Sequence, residues 1–439
     1  MTSGTCSWSW IEQQAAQTAD LWHSCAHQTL APPPQYSPAE QEQREHAYDT
    51  ALAAAEDEAR RTPRSKSART AAQARLTAAF ASFAANALDL PPAAVHLLTG
   101  GFLPVATNLA RWARRFDPRL SRAGITQACR NAWTACGLQP LLGEPMRLTP
   151  SILGYSLLYP YSDNFFDDVQ ATAASKLRFS QRFRQRLCGE DYAPENPREA
   201  AIDRLVGLVE EQYSRTAFPD VFASLLAIHR AQEASLTQLR TPAHADGANI
   251  LRISCAKGGS SVLADAFLIR GRLTADEIRF AFDWGVLLQL GDDLQDLRED
   301  RQRGSSTLFS SAAAQGVPLD SLVRQLLAYS RCVGDCMDRL PHGDPILKDL
   351  LRSSWQSLIL MAVAESHSFF SPAFLQEAEH ASPFRFAFLR ARRDRLAGRQ
   401  GLYTMFFDAF LEAGDEDPAQ TPPARLAFPS RVLPGASSA

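Results

Sequence analysis

Residues 284–309 read WGVLLQLGDDLQDLREDRQRGSSTLF. On a helix, Asp292, Asp296 and Asp300 fall at i, i+4 and i+8 and form one stripe, with Asp293 beside the first. Leu290, Leu294 and Leu297 take other faces and can pack. Like charges at this spacing repel one another, so a plain surface helix gains nothing from the stripe. The run ends at Gly304, in a loop that carries Arg301 and Arg303.

A second acidic cluster lies upstream, in YPYSDNFFDDV at 159–169. Asp163 and Asp167 are i,i+4 neighbours on a helix, Asp168 sits one step round, and Phe165 and Phe166 turn toward the packed side. Pro160 is placed to kink that helix where the cluster begins. Alone, either cluster reads as a solvated acidic face. Two in one chain are hard to explain by solubility. A hard dication removes the repulsion, because Mg²⁺ takes oxygen ligands and keeps several waters. Two such helices face to face would form a cavity with two carboxylate walls. That cavity would hold two or three Mg²⁺ ions, and the ions would hold a polyanion. Between the clusters, RISCAKGGSSVLADAFL at 252–268 sets Lys257 before two glycines in an apolar segment. Alone this is a surface lysine at a helix break. Beside two acidic helices it is a candidate phosphate ligand, with glycines that permit close approach of a backbone or a substrate chain.

The rest of the chain predicts an all-α protein. Val/Ile/Thr alternation is nearly absent, and helix starts are well signed. SPAE at 37–40 and TADE at 274–277 are capping boxes, LTPSIL at 148–153 and SPFRF at 382–386 place a cap before proline, and Gly271, Gly316 and Gly398 are stops. Helices are expected in 1–30, at 38–60 and 66–88, and in 101–146 with breaks at DPRLSRAG and GLQPLLGEP. Further helices are expected at 149–190, 198–240, 248–270, 275–301, 318–340, 345–370 and 383–412. Residues 1–90 read as an N-terminal helical extension, 91–412 as the principal domain, and 413–439, rich in Pro, Ser and Gly, as a disordered tail.

Composition narrows the function classes. The chain has 439 residues and a formal net charge of −3, so no bulk field recruits nucleic acid. RARRDR at 390–395 reads as a solvated helix face. The eight cysteines form no paired CxxC sets and read as reduced core thiols. The N-terminus lacks a basic region followed by a long apolar core, and the longest apolar run, LILMAVA at 358–364, is the length of a buried helix face. Both features predict a soluble, cytoplasmic protein without a transmembrane segment.

Taken together, these motifs resemble those of the class I isoprenoid synthase superfamily, which comprises trans-isoprenyl diphosphate synthases and class I terpene synthases. The resemblance covers residues 150–310 by motif and the remainder by helical character. DNFFD at 163–167 is similar to the family's first aspartate-rich motif, with Asn164 in the second place. Gln289, Asp292, Asp293, Asp296, Asp300, Gly304 and Thr307 match the order and spacing of the second motif of prenyl diphosphate synthases. Lys257 stands where the family has a lysine, and Gln232 in AIHRAQEASL matches a family glutamine, with Ser235 where an aspartate is usual. Arg303 stands where the family has a basic residue that contacts diphosphate.

The resemblance implies an isoprenoid (terpenoid) synthase helical bundle with a central cavity, acting on an allylic prenyl diphosphate. It implies Mg²⁺ held by Asp163, Asp167, Asp168, Asp292, Asp293 and Asp296. Catalysis would centre on Asp163, Asp167, Asp292 and Asp296, with diphosphate contacts from Lys257, Arg303, Gln232 and Gln289. It leaves a homodimer open. The Arg-Arg-Gly element that elongating members use for a second substrate is missing after the first motif, and Arg178 and Arg182 lie at a different offset. The second motif of plant and bacterial cyclases is absent as well. A terpene synthase on a prenyltransferase-like scaffold is therefore the first expectation. A chain-elongating or head-to-head prenyltransferase is the second, and a non-catalytic subunit that keeps the fold is the third. Phe165, Phe166, Tyr155, Tyr159 and Trp284 are candidates for an aromatic cavity lining.

Overall fold

The structure, a computed structural model, describes residues 7–26, 35–61, 65–166, 168, 170–235 and 247–397. Every regular element among these residues is helical. In chain order they are α1 (Trp8–Cys25), α2 (Pro38–Ala59), α3 (Lys66–Ser82), α4 (Pro92–Leu97), α5 (Leu103–Phe116) and α6 (Arg122–Leu141). They continue as α7 (Pro150–Phe166), α8 (Ala173–Cys188), α9 (Pro197–Gln212), α10 (Pro219–Ser235), α11 (Gly247–Arg270) and α12 (Ala275–Gln295). The last are α13 (Leu297–Arg303), α14 (Leu308–Ala314), α15 (Asp320–Asp338), α16 (Pro345–Glu365), α17 (Pro372–His380) and α18 (Phe386–Ala397). Two wide turns, Phe83–Ala87 and Leu98–Phe102, add single π-type steps beside α3 and α4.

The expected caps form. Ser37 and Glu40 exchange side-chain and backbone bonds at the start of α2, as do Thr274 and Glu277 at α12. Gly271 and Gly316 end their helices with φ of 73° and 72°. At Ser382 the cap serves a turn instead: its hydroxyl bonds the N–H and carbonyl of Phe384, and α18 starts at Phe386.

Three expected helices are divided. The segment 149–190 breaks after Phe166, where Lys176 Nζ donates to Phe166 O at 2.5 Å and Thr172 caps α8. The segment 198–240 breaks ahead of Pro219, which opens α10 and cannot sit inside a helix without losing a backbone bond. The segment 275–301 breaks at Asp296, whose ψ of 6° leaves the helical range. Gly398, the end of the expected helix 383–412 and the tail 413–439 lie outside the described residues.

The long, apolar α11 runs through the middle of the bundle, packed by α12, α10, α1, α6 and α7. Leu263, Ala264, Ala266 and Leu268 on it are fully buried. Its tightest neighbour is α12. A Cβ on Gly285 would lie 2.1 Å from Gly258 O, and a Cβ on Gly258 would lie 2.4 Å from Gln289 Cβ. The glycines after Lys257 therefore admit a helix backbone, the first of the two roles that the sequence allowed.

The first ninety residues join this core at several points. On α1, Ile11, Trp22 and Cys25 are buried, Thr18 Oγ1 donates to Asp283 Oδ1 at 2.7 Å, and Gln325 Nε2 donates to Trp22 O at 2.7 Å. Glu45 of α2 is ion-paired with Arg385. One stretch, Pro92–Phe116, is long and apolar enough by length and composition to cross a membrane, with a mean hydropathy of 1.3. Its apolar residues are interspersed with Gly, Thr and Asn rather than consecutive, so no long apolar run marks it in the sequence. Val105, Leu109, Ala113 and Phe116 on it face the protein core. No other described helix passes that test.

Candidate functional site

The second acidic segment is assembled by α11 and α12 together. Asp293, 6% exposed, accepts from Ser254 Oγ at 3.0 Å and from Gln289 Nε2 at 2.7 Å. Burial pushes its carboxyl up to about 6, as does the charge of Asp292, while Gln289, Lys257 and Ser254 pull it down. Asp296 reaches solvent at the break between α12 and α13, yet desolvation and the charges of Asp292 and Glu299 bring it to about 6, against Arg130 and Arg303. Asp300 rises to about 7, through desolvation and then the carboxylates of Asp293, Asp296 and Asp292, with Thr307 opposing. The helix break at Asp296 does not disperse the stripe, because Asp300 N still donates to Asp296 O at 2.9 Å.

The first segment is built differently. Asp163 lies in the last turn of α7 and accepts from Gln232 Nε2 of α10 at 2.6 Å and from Ser162 Oγ at 3.2 Å. Asp168 lies past the end of the helix at Phe166, so it does not sit one step round on a continuing helix as the sequence predicted. Its Oδ1 accepts from Gln170 N at 2.8 Å and closes a local turn. Asp167 lies outside the described residues.

Helix register brings the two segments to one end of α11, which runs antiparallel to both α7 and α12. Along α7, Ser151 Oγ donates to Leu268 O at 2.9 Å, Tyr155 OH donates to Ser261 O at 3.2 Å, and Tyr159 OH bonds Ser261 Oγ at 2.6 Å. One turn further along α7 is Asp163, and one turn back along α11 is Lys257. Along α12, Phe282 abuts Gly259, Gln289 abuts Gly258, and Asp293 takes the bond from Ser254. The register thus carries Asp163 toward the level of Lys257, and Asp293 bonds Ser254 about one turn earlier on α11. Lys257 is half-buried. Arg303 is 64% exposed and ion-paired with Glu299 in the next turn of its own short helix, although its charge still reaches Asp296.

Several participants were not read from the sequence. Arg130 comes from α6 and faces the cluster through tertiary packing alone, with no local signal. Ser254 stands one turn before Lys257, a position that helical spacing could have flagged. Beneath the Asp163–Gln232 bond lies a small, partly open pocket between α7, α8 and α10, lined by Tyr159, Ser162, Phe183, Ile228, His229 and Gln232 among others. Of the aromatic candidates, Tyr155 and Tyr159 line it. Phe166 packs on Phe179 and His229, Phe165 lies under Arg198 at 3.9 Å, and Trp284 stacks against Trp355 in the core.

The donor set is mixed as a home for Mg²⁺. Asp292, Asp296 and Asp300 are oxygen donors, and the Asp292 charge raises the proton affinity of both Asp296 and Asp300, as expected where carboxylates crowd together. Asp293 already accepts one bond at each oxygen, from Gln289 and from Ser254, which suits a bracing role. Among the described residues no three acidic, imidazole or thiol groups are already gathered as a ligand set. No family model matches the chain, and no curated protein matches it.

Proposed function

We propose that this chain is a Mg²⁺-dependent enzyme that ionises an allylic prenyl diphosphate, a terpene synthase on an isoprenoid-synthase helical bundle. The observation that carries the reading is the one end of α11 to which Asp163 and the 292–300 cluster are both brought, with the Lys257 ammonium there. Two carboxylate walls and a cation at one end of a bundle suit a ligand that is itself anionic and metal-chelating. When bound, Mg²⁺ would offset charge developing on the departing diphosphate.

The chain's own residues have distinct tasks in this reading. Asp163, Asp292 and Asp296 supply oxygen ligands, with Asp167 the fourth expected from the motif. Gln232 orients the Asp163 carboxylate through its amide N–H. Gln289 and Ser254 fix Asp293, whose carboxylate in turn steadies Lys257 as a point charge for phosphate oxygens. Arg130 adds a second fixed positive charge, a role that the resemblance implied for Arg303. The pocket below Asp163 offers apolar and aromatic walls against which an allylic cation would lie.

A non-catalytic reading draws on one observation, that both oxygens of Asp293 are engaged by protein donors. The test is turnover of geranyl, farnesyl and geranylgeranyl diphosphates with Mg²⁺, with and without isopentenyl diphosphate, and with products identified by gas chromatography and mass spectrometry. Hydrocarbons or alcohols formed without the co-substrate are the expected result. Longer diphosphates formed only with it would move the assignment to an elongating prenyltransferase. Absence of diphosphate release from every substrate would leave the non-catalytic reading.

A further inference from the structure

Three side chains around the pocket below Asp163 form a relay that the reading above leaves unused. His229 of α10 is 2% exposed. Its Nε2 lies 3.1 Å from Ser180 Oγ of α8, and the Ser180 hydroxyl donates to the Glu233 carboxylate. A serine hydroxyl has one proton. Since that proton goes to Glu233, Ser180 can only accept from the imidazole, which places the ring proton on Nε2. Nδ1 then carries a bare lone pair, and it has no hydrogen-bond partner. A buried acceptor left unpaired is costly, and such atoms call for an explanation. Burial also lowers the imidazole's proton affinity, against the nearby Glu233 charge and together with that of Arg184. The ring is thus neutral and a base at neutral pH.

We propose that His229 is the proton acceptor that ends the reaction, an inference that rests on the functional reading above. His229 lines the pocket one turn from Gln232, whose amide holds Asp163, so the base lies just inside the place where ionisation would occur. The step balances without a further reagent. A C–H bond beside the cationic carbon breaks, and its electron pair becomes the new C=C π bond. The proton goes to Nδ1, and the products are a neutral alkene, an imidazolium and the diphosphate already released. Nε2 keeps its bond to Ser180, and Glu233 Oε1, 3.9 Å from Nε2, faces the new positive charge. The imidazolium then returns its proton to water. The charged groups acting on the ring are Glu233 from its own helix and Arg184 from α8, and the tyrosine hydroxyls on α7 are committed to Ser261. Ser180 and Glu233 are positioning residues, because they act through the imidazole.

The test compares the wild-type chain with His229→Phe and His229→Gln, using geranyl and farnesyl diphosphates with Mg²⁺. Diphosphate release and organic products are measured separately. His229→Phe keeps an aromatic ring among Phe166, Phe179 and Phe183. His229→Gln keeps a hydrogen-bond acceptor that cannot hold a proton, and it serves alone if the phenylalanine variant does not fold. Alkene formation is expected to fall about 10²-fold in both variants, the usual contribution of a positioned base. KM should stay within about threefold, and water-derived alcohols should take a larger share of product. The same alkenes at rates within about twofold of wild type, in either variant, would overturn the role of His229 while leaving the functional reading intact. A wild-type chain that releases no diphosphate would overturn both, and that outcome is read before the variants are compared.

Discussion

The two acidic segments share a composition and differ in how they are held. In the downstream segment the chain behind the carboxylates is locked: Gly258 and Gly285 bring α11 and α12 into backbone contact, and Asp293 is anchored at two oxygens by Ser254 and Gln289. Asp292, Asp296 and Asp300 project from that platform and repel one another. In the upstream segment the helix stops at Phe166, a single carboxylate is held by Gln232, and Asp168 is spent on a turn. A carboxylate wall needs a rigid backing before its repulsion can be stored for a cation. One wall here has that backing from α11, whereas in the described part of the other Asp163 is held by side chains, among them Gln232 and Ser162.

The sharpest way to break this contrast is Asp292→Asn. Removing a ligand from the preassembled wall should lower Mg²⁺-dependent diphosphate release by about 10²–10³, the scale of losing one electrostatic stabiliser. Loss of less than about fivefold, measured under saturating Mg²⁺, would remove that wall from the chemistry.

The backing itself is tested by Gly285→Ala. Its Cβ would meet Gly258 O at 2.1 Å, so the helices must part, at a cost of about 3 kcal/mol. A denaturant midpoint unchanged from wild type would show that the α11–α12 contact yields easily, contrary to the contrast drawn here.

Between the two segments lies Asp265 of α11, fully buried, with Asn131 Nδ2 at 3.2 Å from Oδ1 and no partner for Oδ2. Burial holds its pKa well above the usual carboxylate range. The folded chain therefore keeps a proton that the unfolded chain releases near pH 4. Stability falls with rising pH by about 1.4 kcal/mol per unit for this group until its folded pKa is passed. Asp293, Asp296 and Asp300 add slopes of the same sign up to about 6, 6 and 7. Asp265→Asn should flatten the curve by the share of one proton as the pH rises above the ordinary carboxylate range. Parallel urea-derived curves for the two proteins would refute this.

The smallest effect belongs to Asp168→Asn. The amide oxygen can still accept from Gln170 N, so activity should stay within about twofold. A loss comparable to that of Asp292→Asn would restore Asp168 to the metal set and erase the asymmetry.

Much of the scaffold could be read from local chemistry. Capping boxes at Ser37 and Thr274, and the stops at Gly271 and Gly316, fix helix ends through bonds that span three or four residues. The breaks after Phe166 and ahead of Pro219 were equally local: Thr172 and Pro219 mark them, and the apolar content on both sides concealed them. For the site, spacing identified the carboxylates and Lys257. It misjudged Asp168, whose place one step round from Asp163 and Asp167 required the helix to continue. It passed over Arg130, Ser254, Ser180 and Asp265, which matter only through neighbours far away in the chain.

By itself, the sequence determined that the chain is helical and that two acidic segments and a lysine stand out in it, because helical periodicity and capping act over a few residues. Tertiary structure alone decided that these groups meet at one end of α11, which carboxylates are braced and which are left in mutual repulsion, and that one imidazole nitrogen is buried without a partner. Those outcomes depend on the register between helices and on desolvation, and both are set by residues that only folding brings together.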